Sequence, residues 1–134
     1  MQSKTVSRKL LKRLPLYLNY LKSLPEGATP SAEECKYFGY YHFSQEKVDK
    51  TYAKVPGTKW YYEGSFWSGM PDLNYDSKEL RAEFEEICKF WVEKGVDGFR
   101  VDAAMHIVES SREENNAILN WLYTTCTAMN PDFY

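Results

Sequence analysis

Apolar residues recur at three- and four-residue steps along residues 3–24, at Val6, Leu10, Leu14, Leu18 and Leu21. That is the spacing of one helix face. Pro15 falls inside the run, so a kink or a fresh helix start is expected near Leu14. Pro25, Gly27 and Pro30 then read as a linker over residues 23–31. Helical spacing returns over residues 77–94. Leu80, Phe84, Ile87, Cys88 and Trp91 line one face there, and Glu83, Glu85, Glu86, Lys89 and Glu93 lie outside it. Asp76 with Glu79 predicts an N-terminal capping box, and Gly95 supplies the stop. A short β-prone run, Val96–Asp102, follows. Ser111 with Glu114 predicts the cap of a second helix, which runs to about Met129 on an apolar face of Ile118, Leu122, Cys126 and Met129, with Leu119 beside it. Asn130-Pro131 ends it, and Asp132-Phe133-Tyr134 reads as the start of another strand. Helix–strand–helix–strand order predicts a parallel α/β sheet or barrel.

Between the linker and the second helical segment the pattern is aromatic rather than periodic. Residues 35–67 hold eleven aromatic side chains together with His42, Gly39, Pro56 and Gly64. Tyr52–Val55 and Trp60–Tyr62 predict a hairpin across Pro56-Gly57-Thr58. The rest of the stretch reads as a long excursion with little regular structure. It is too aromatic to be disordered by composition.

Charge divides the chain. The formal net charge is −2, but residues 1–30 carry six Lys/Arg against one acid, for +5, and residues 31–134 carry −7. Such a split marks either a basic arm or two pieces of different origin. Three widely spaced cysteines, Cys35, Cys88 and Cys126, match no metal spacing; Cys88 and Cys126 read as small core residues. No apolar run approaches the roughly 20 residues of a membrane span, and the basic N-terminus makes a poor signal peptide. A soluble, cytoplasmic chain with no membrane partner is expected.

The chemistry concentrates in Gly95-Val96-Asp97-Gly98-Phe99-Arg100-Val101-Asp102-Ala103-Ala104-Met105-His106. In an extended strand, residues i and i+2 share a face, so Arg100 and Asp102 point one way and Phe99 and Val101 the other. A cation on the same face favours the ionised carboxylate, which is what a nucleophile or an electrostatic stabiliser requires. The same spacing also fits a structural ion pair at a strand terminus.

Gly98-Phe99-Arg100-Val101-Asp102 followed by Ala103-Ala104-Met105-His106 resembles the nucleophile motif of the α-amylase superfamily of glycoside hydrolases. Met70-Pro71-Asp72-Leu73-Asn74 resembles that family's second short motif, one helix upstream. The resemblance covers roughly residues 32–134 and implies a fragment of a (β/α)8 barrel. Val96–Asp102 would be its fourth strand, and the aromatic stretch the domain inserted before it. It further implies Asp102 as the nucleophile of a retaining mechanism on α-glucosidic bonds of starch-like glucans, with Arg100 orienting it. His106 would lie beside the sugar, and Asn74 and Asp72 would support the inserted domain. Calcium at Asp72 is the one cofactor implied. Two plainer readings stand beside these, His106 as a satisfied polar residue at a strand end and Asp72 as a turn former. Met105 departs from the lysine common at that place in the family. A retaining glycosidase needs a second carboxyl group about 5–5.5 Å from the first, and the resemblance puts that acid/base glutamate on the next strand, past Tyr134.

Ser7-Arg8-Lys9-Leu10-Leu11-Lys12-Arg13-Leu14-Pro15-Leu16-Tyr17-Leu18 resembles the first helix of the Rex family of redox-sensing repressors. The recognition helix and the dinucleotide-binding domain of that family are not matched. The organisation expected is therefore a repressor-like helix and linker at 1–30, an aromatic inserted-domain stretch at 31–76 and a partial barrel at 77–134. The larger piece is expected to be catalytically silent by itself, with α-glucan as its ligand class and self-association through exposed apolar faces. Two other classes are a non-catalytic glucan-binding module, resting on residues 37–67, and a DNA-binding remnant, resting on the basic arm. Nucleic acid is not the expected partner of the whole.

Overall fold

The computed structural model describes residues 37–134, together with residues 19, 22–25, 28 and 35. The helix expected over 3–24, with its kink and its repressor-like motif, lies outside these residues apart from Asn19, Lys22 and Ser23, which are helical. The chain divides into two compact units, Met1–Asp72 and Leu73–Tyr134. The boundary between them falls inside the Met70–Asn74 motif. Among the described residues no helix is long and apolar enough to cross a membrane.

In the first unit the aromatic stretch is more ordered than its pattern predicts. Strands β1 (Phe43–Ser44), β2 (Tyr52–Lys54) and β3 (Tyr61–Glu63) form an antiparallel sheet in the order β1-β3-β2. The hairpin between β2 and β3 is the one expected. Ala53 stands opposite Tyr62, Val55 N–H donates to Trp60 O at 2.8 Å, and Thr58 N–H closes the turn on Val55 O. Gly57 sits at φ +77°, a conformation only glycine adopts cheaply. Val55 is fully buried and Trp60 nearly so, with Phe38, Phe43 and Tyr62 packed around them. Part of the aromatic stretch thus makes a small core, while Phe66 and Trp67 stay exposed. β1, too short to announce itself by alternation, escapes sequence reading.

The second unit is built on helices α1 (Lys78–Glu93) and α2 (Arg112–Met129). The cap of α1 is Ser77, not the expected Asp76. Ser77 Oγ accepts from Leu80 N–H at 3.2 Å and donates to Glu79 Oε2. The reason is local: Asp76 N–H is drawn back onto Asn74 Oδ1 at 3.0 Å, which leaves Ser77 at the helix boundary. At the other end Gly95 at φ +85° completes a Schellman motif, with Gly95 N–H on Val92 O and Val96 N–H on Trp91 O. Ser111 caps α2 as expected, accepting from Glu114 N–H at 3.2 Å.

The two helices meet over Cys88 and Cys126, both buried, with Phe133, Val92, Val96, Phe99 and Leu122 around them. Burial and the neighbouring Cys126 thiol push the Cys88 thiol up to about 12, so it is inert core filling, as expected for both.

Residues 96–102 do not form the expected strand. They are extended around Gly98, with Asp102 already in a turn, but join no ladder beyond one residue: Tyr134 N–H donates to Asp97 O at 3.0 Å, and Phe99 N–H donates to Tyr134 O at 3.1 Å. Two bonds that bracket Gly98 follow the spacing of parallel pairing. A strand is defined by its neighbour, and among the described residues the chain supplies a single residue of one. For the same reason Asp132-Phe133-Tyr134 contributes one paired residue rather than a strand.

Candidate functional site

Arg100 and Asp102 lie at the end of that extended segment, and the structure brings them together. Arg100 Nη2 stands 3.1 Å from Asp102 Oδ1. Both side chains are open to solvent, at 87% and 86% exposure. Exposure of that degree screens the pair, so it adds little to stability. Immediately after Asp102 the chain turns sharply. Ala103 has φ +50°, a left-handed conformation that costs a non-glycine residue roughly 1–2 kcal/mol. A 3₁₀ turn, Ala104–His106, follows, with His106 N–H on Ala103 O at 2.8 Å.

His106 faces Glu109 rather than Asp102: its Nδ1 lies 2.7 Å from Glu109 Oε2, with both side chains about half exposed. Glu109 thus supplies the partner of a polar residue at the turn, and half of the ring stays open. Glu109 and Ala103 are features the motif alone does not reveal.

Asn115 is a further one. It is a buried polar side chain near the start of α2. Its Nδ2 donates to Ala104 O at 2.6 Å and its Oδ1 accepts from Val108 N–H at 3.0 Å. The signal in the sequence was a polar residue on the apolar stripe, three positions before Ile118.

The upstream motif is shared between the units. Asn74 heads α1 through the turn already described, its carbonyl accepting from Ser77 N–H at 3.1 Å. Asp72 closes the first unit. Its Oδ2 accepts from Ser65 N–H at 2.9 Å and its own N–H donates to Glu63 O. Turn formation is therefore the role this geometry gives Asp72. Calcium takes 6–8 oxygen ligands, and among the described residues no three His, Cys, Asp or Glu side chains stand together to hold a metal. Asp72 has one carboxylate oxygen to offer, so the residues present do not fit that ion by themselves, and no chemical step is derived through it.

Next to Asp72, the half-buried Glu63 carries a raised pKa. Burial is the main cause, Asp72 and Asp49 add to it, and His42, 4.0 Å away, opposes it. A folded-state value above the ordinary 4.5 means that the folded chain keeps a proton the unfolded chain has released. The associated stability is present at lower pH and lost as pH rises through the raised value. Glu63→Gln should flatten this decline. Urea midpoints measured from about pH 4.5 upward check it; an unchanged slope would show that Glu63 is not its source.

The chain has counterparts among known proteins. The family model "Alpha amylase, catalytic domain" matches residues 26–131. Alpha-amylase 3 of Dictyoglomus thermophilum is 42% identical over 113 residues, which cover 80% of this chain and 21% of that protein. Oligo-1,6-glucosidase of Bacillus cereus is 36% identical over 95 residues, 62% of this chain and 16% of that protein. Among solved structures, Eubacterium rectale Amy13B superposes with a TM-score of 0.82 at 40% identity, covering 87% of this chain and 23% of its own. The chain thus spans about a fifth of the length of such relatives, and most of it has the fold of part of the Amy13B chain. With a family match over most of its length, the chain belongs to the α-amylase catalytic-domain family.

Proposed function

We propose that Asp102 is the nucleophile of a retaining α-glucosidic hydrolase, oriented by Arg100, and that α-glucan is the ligand class of this segment. The observation that carries the reading is the Arg100–Asp102 contact of 3.1 Å at the end of an extended segment, where the chain turns away and leaves the carboxylate open. In such a reaction Asp102 attacks the anomeric carbon as the glycosidic bond breaks, forming a glycosyl ester that water later hydrolyses. The leaving oxygen needs a proton from a second carboxylic acid, which on this reading is the glutamate of the following strand. The 134 residues by themselves then bind glucan weakly and do not turn it over. His106 contributes a sugar contact with the ring face that Glu109 leaves open. Asn74 and Asp72 act by fixing the polypeptide at the two sides of their motif.

Two measurements test this. Hydrolysis of maltooligosaccharide by the chain should not exceed that of an Asp102→Ala control; turnover dependent on Asp102 would overturn the requirement for a second strand. Titration of the labelled chain with maltooligosaccharide should move the NMR amide signals of residues 100–106. Signals that stay in place would overturn the glucan reading of the site.

Residues 1–30 are read as a segment of separate, repressor-like origin. The charge split supports this; the family match, which begins at residue 26, takes in the end of that stretch. A DNA-binding remnant would bind duplex DNA with a steep loss on added salt, whereas glucan stacking on aromatic side chains would change little. Exposed apolar faces on the second unit support self-association.

A further inference from the structure

We propose that Asn115 is a positioning residue, clamping from α2 the backbone on both sides of His106 and so fixing that imidazole in the turn after Asp102. The proposal rests on the reading of Asp102 and His106 given above and deepens it. Residues 103–109 connect the Arg100–Asp102 pair to α2, and little in the loop itself holds them. Within it, His106 N–H bonds Ala103 O and the His106 ring bonds Glu109. Ala103 meanwhile sits in the left-handed region, a conformation alanine holds only when its surroundings impose it.

Asn115 supplies that imposition. Its amide nitrogen takes the carbonyl of Ala104, two residues before His106, and its amide oxygen takes the N–H of Val108, two residues after. One partner is an acceptor and the other a donor, so a single orientation of the amide satisfies both. The residue type is therefore specified. Aspartate keeps the acceptor and loses the donor, leucine loses both, and glutamine carries the amide one methylene too far. Asn115 is 4% exposed and shares the inward stripe of α2 with Ile118, Leu122 and Cys126. An apolar side chain there would pack equally well against the core, so packing alone does not explain an amide. Burying one is tolerated because both its ends are bonded. Its position is also economical. α2 begins at Arg112, and Asn115 reaches back 11 residues to Ala104, tying the rigid helix to the backbone beside the carboxylate.

The experiment compares the full chain with Asn115→Ala, Asn115→Asp and Ile118→Ala by NMR. The readouts are amide hydrogen exchange at Val108 and the imidazole ¹⁵N signals of His106. In Asn115→Ala, Val108 exchange should rise about tenfold relative to α2 amides, the scale of one lost hydrogen bond. The His106 signals should move to those of a Glu109→Ala variant, in which the ring has lost its partner. Asn115→Asp, which preserves volume, should keep most Val108 protection yet move His106 in the same direction. Ile118→Ala removes core packing from the same stripe; it should lower the thermal midpoint but leave His106 in place. That control separates positioning from a purely structural role. Unmoved His106 signals in both Asn115 variants, or an equal movement in Ile118→Ala, would overturn the proposal. If Asn115→Ala fails to fold, Asn115→Asp decides alone. Maltooligosaccharide that leaves residues 100–106 unmoved in the parent chain would sink the glucan reading while the clamp result stands, so the two failures are distinguishable.

Discussion

Gly98→Ala should destabilise the second unit by about 3 kcal/mol or more, a larger effect than any surface change in the motif. The reason is contact, not torsion. A Cβ built on Gly98 would overlap the Tyr134 carbonyl oxygen and come within 3.1 Å of the Tyr134 ring. Backbone cannot yield as a side-chain tip can, so Tyr134 must move away. Its departure breaks Tyr134 N–H to Asp97 O and Phe99 N–H to Tyr134 O, each worth about 1 kcal/mol. It also pulls on the preceding residue. Phe133 is 6% exposed, stands edge-on to Phe99 with ring centroids 5.0 Å apart, and packs with Cys88 and Cys126. Losing a buried phenylalanine costs about 3–5 kcal/mol when complete; partial loss brings the total near the stated figure. Urea unfolding with near-ultraviolet circular dichroism reads it, since the Phe99–Phe133 pair reports there. A variant as stable as the parent would show that Tyr134 relaxes freely and that Gly98 is not fixed by strand approach.

That result would explain one letter of the motif physically, and it marks what a sequence can disclose. Elements whose cause is local were legible. The face of α1, the Ser111–Glu114 cap, the Gly95 stop and the Pro56-Gly57-Thr58 hairpin each depend on residues within a few positions of one another. The cap of α1 was misplaced by one residue because Asn74 competes for Asp76 N–H, a contest between two equally plausible side chains. The β-prone composition of residues 96–102 predicts a strand. Their conformation is extended, but a ladder needs a partner from far along the chain, which no local pattern can announce. At the site, Arg100 and Asp102 were legible from a two-residue step, whereas Asn115 was not. Its task is set by two backbone groups 11 and 7 residues away. A polar residue on an apolar stripe was the available clue, and its meaning required the fold.

The purified chain should self-associate as concentration rises, eluting above the 15.7 kDa of a monomer. The second unit carries an apolar cleft of about 280 Å³ bordered by Phe84, Trp91, Phe99, Val101, Ile118 and Trp121. Val101 at its border is 38% exposed, and Met105 of the same unit is 79% exposed. Two features act together here. An open apolar cleft gains by being covered wherever a complementary surface exists. Among the described residues, the 96–101 segment finds strand-like pairing only at Asp97 O and Phe99 N–H, both with Tyr134, which leaves a template for edge pairing between chains. Either alone is tolerable in a monomer; combined on one face they favour association. Val101→Lys separates the causes. It places a charge on the extended segment and at the border of the cleft, the device by which natural edge strands resist pairing, while leaving α1 and α2 intact. Light scattering coupled to size exclusion should show the parent's mass rising with concentration and the variant's staying near the monomer value. A parent chain that stays monomeric and melts in one sharp transition would mean that the cleft is closed in solution by the chain's own residues.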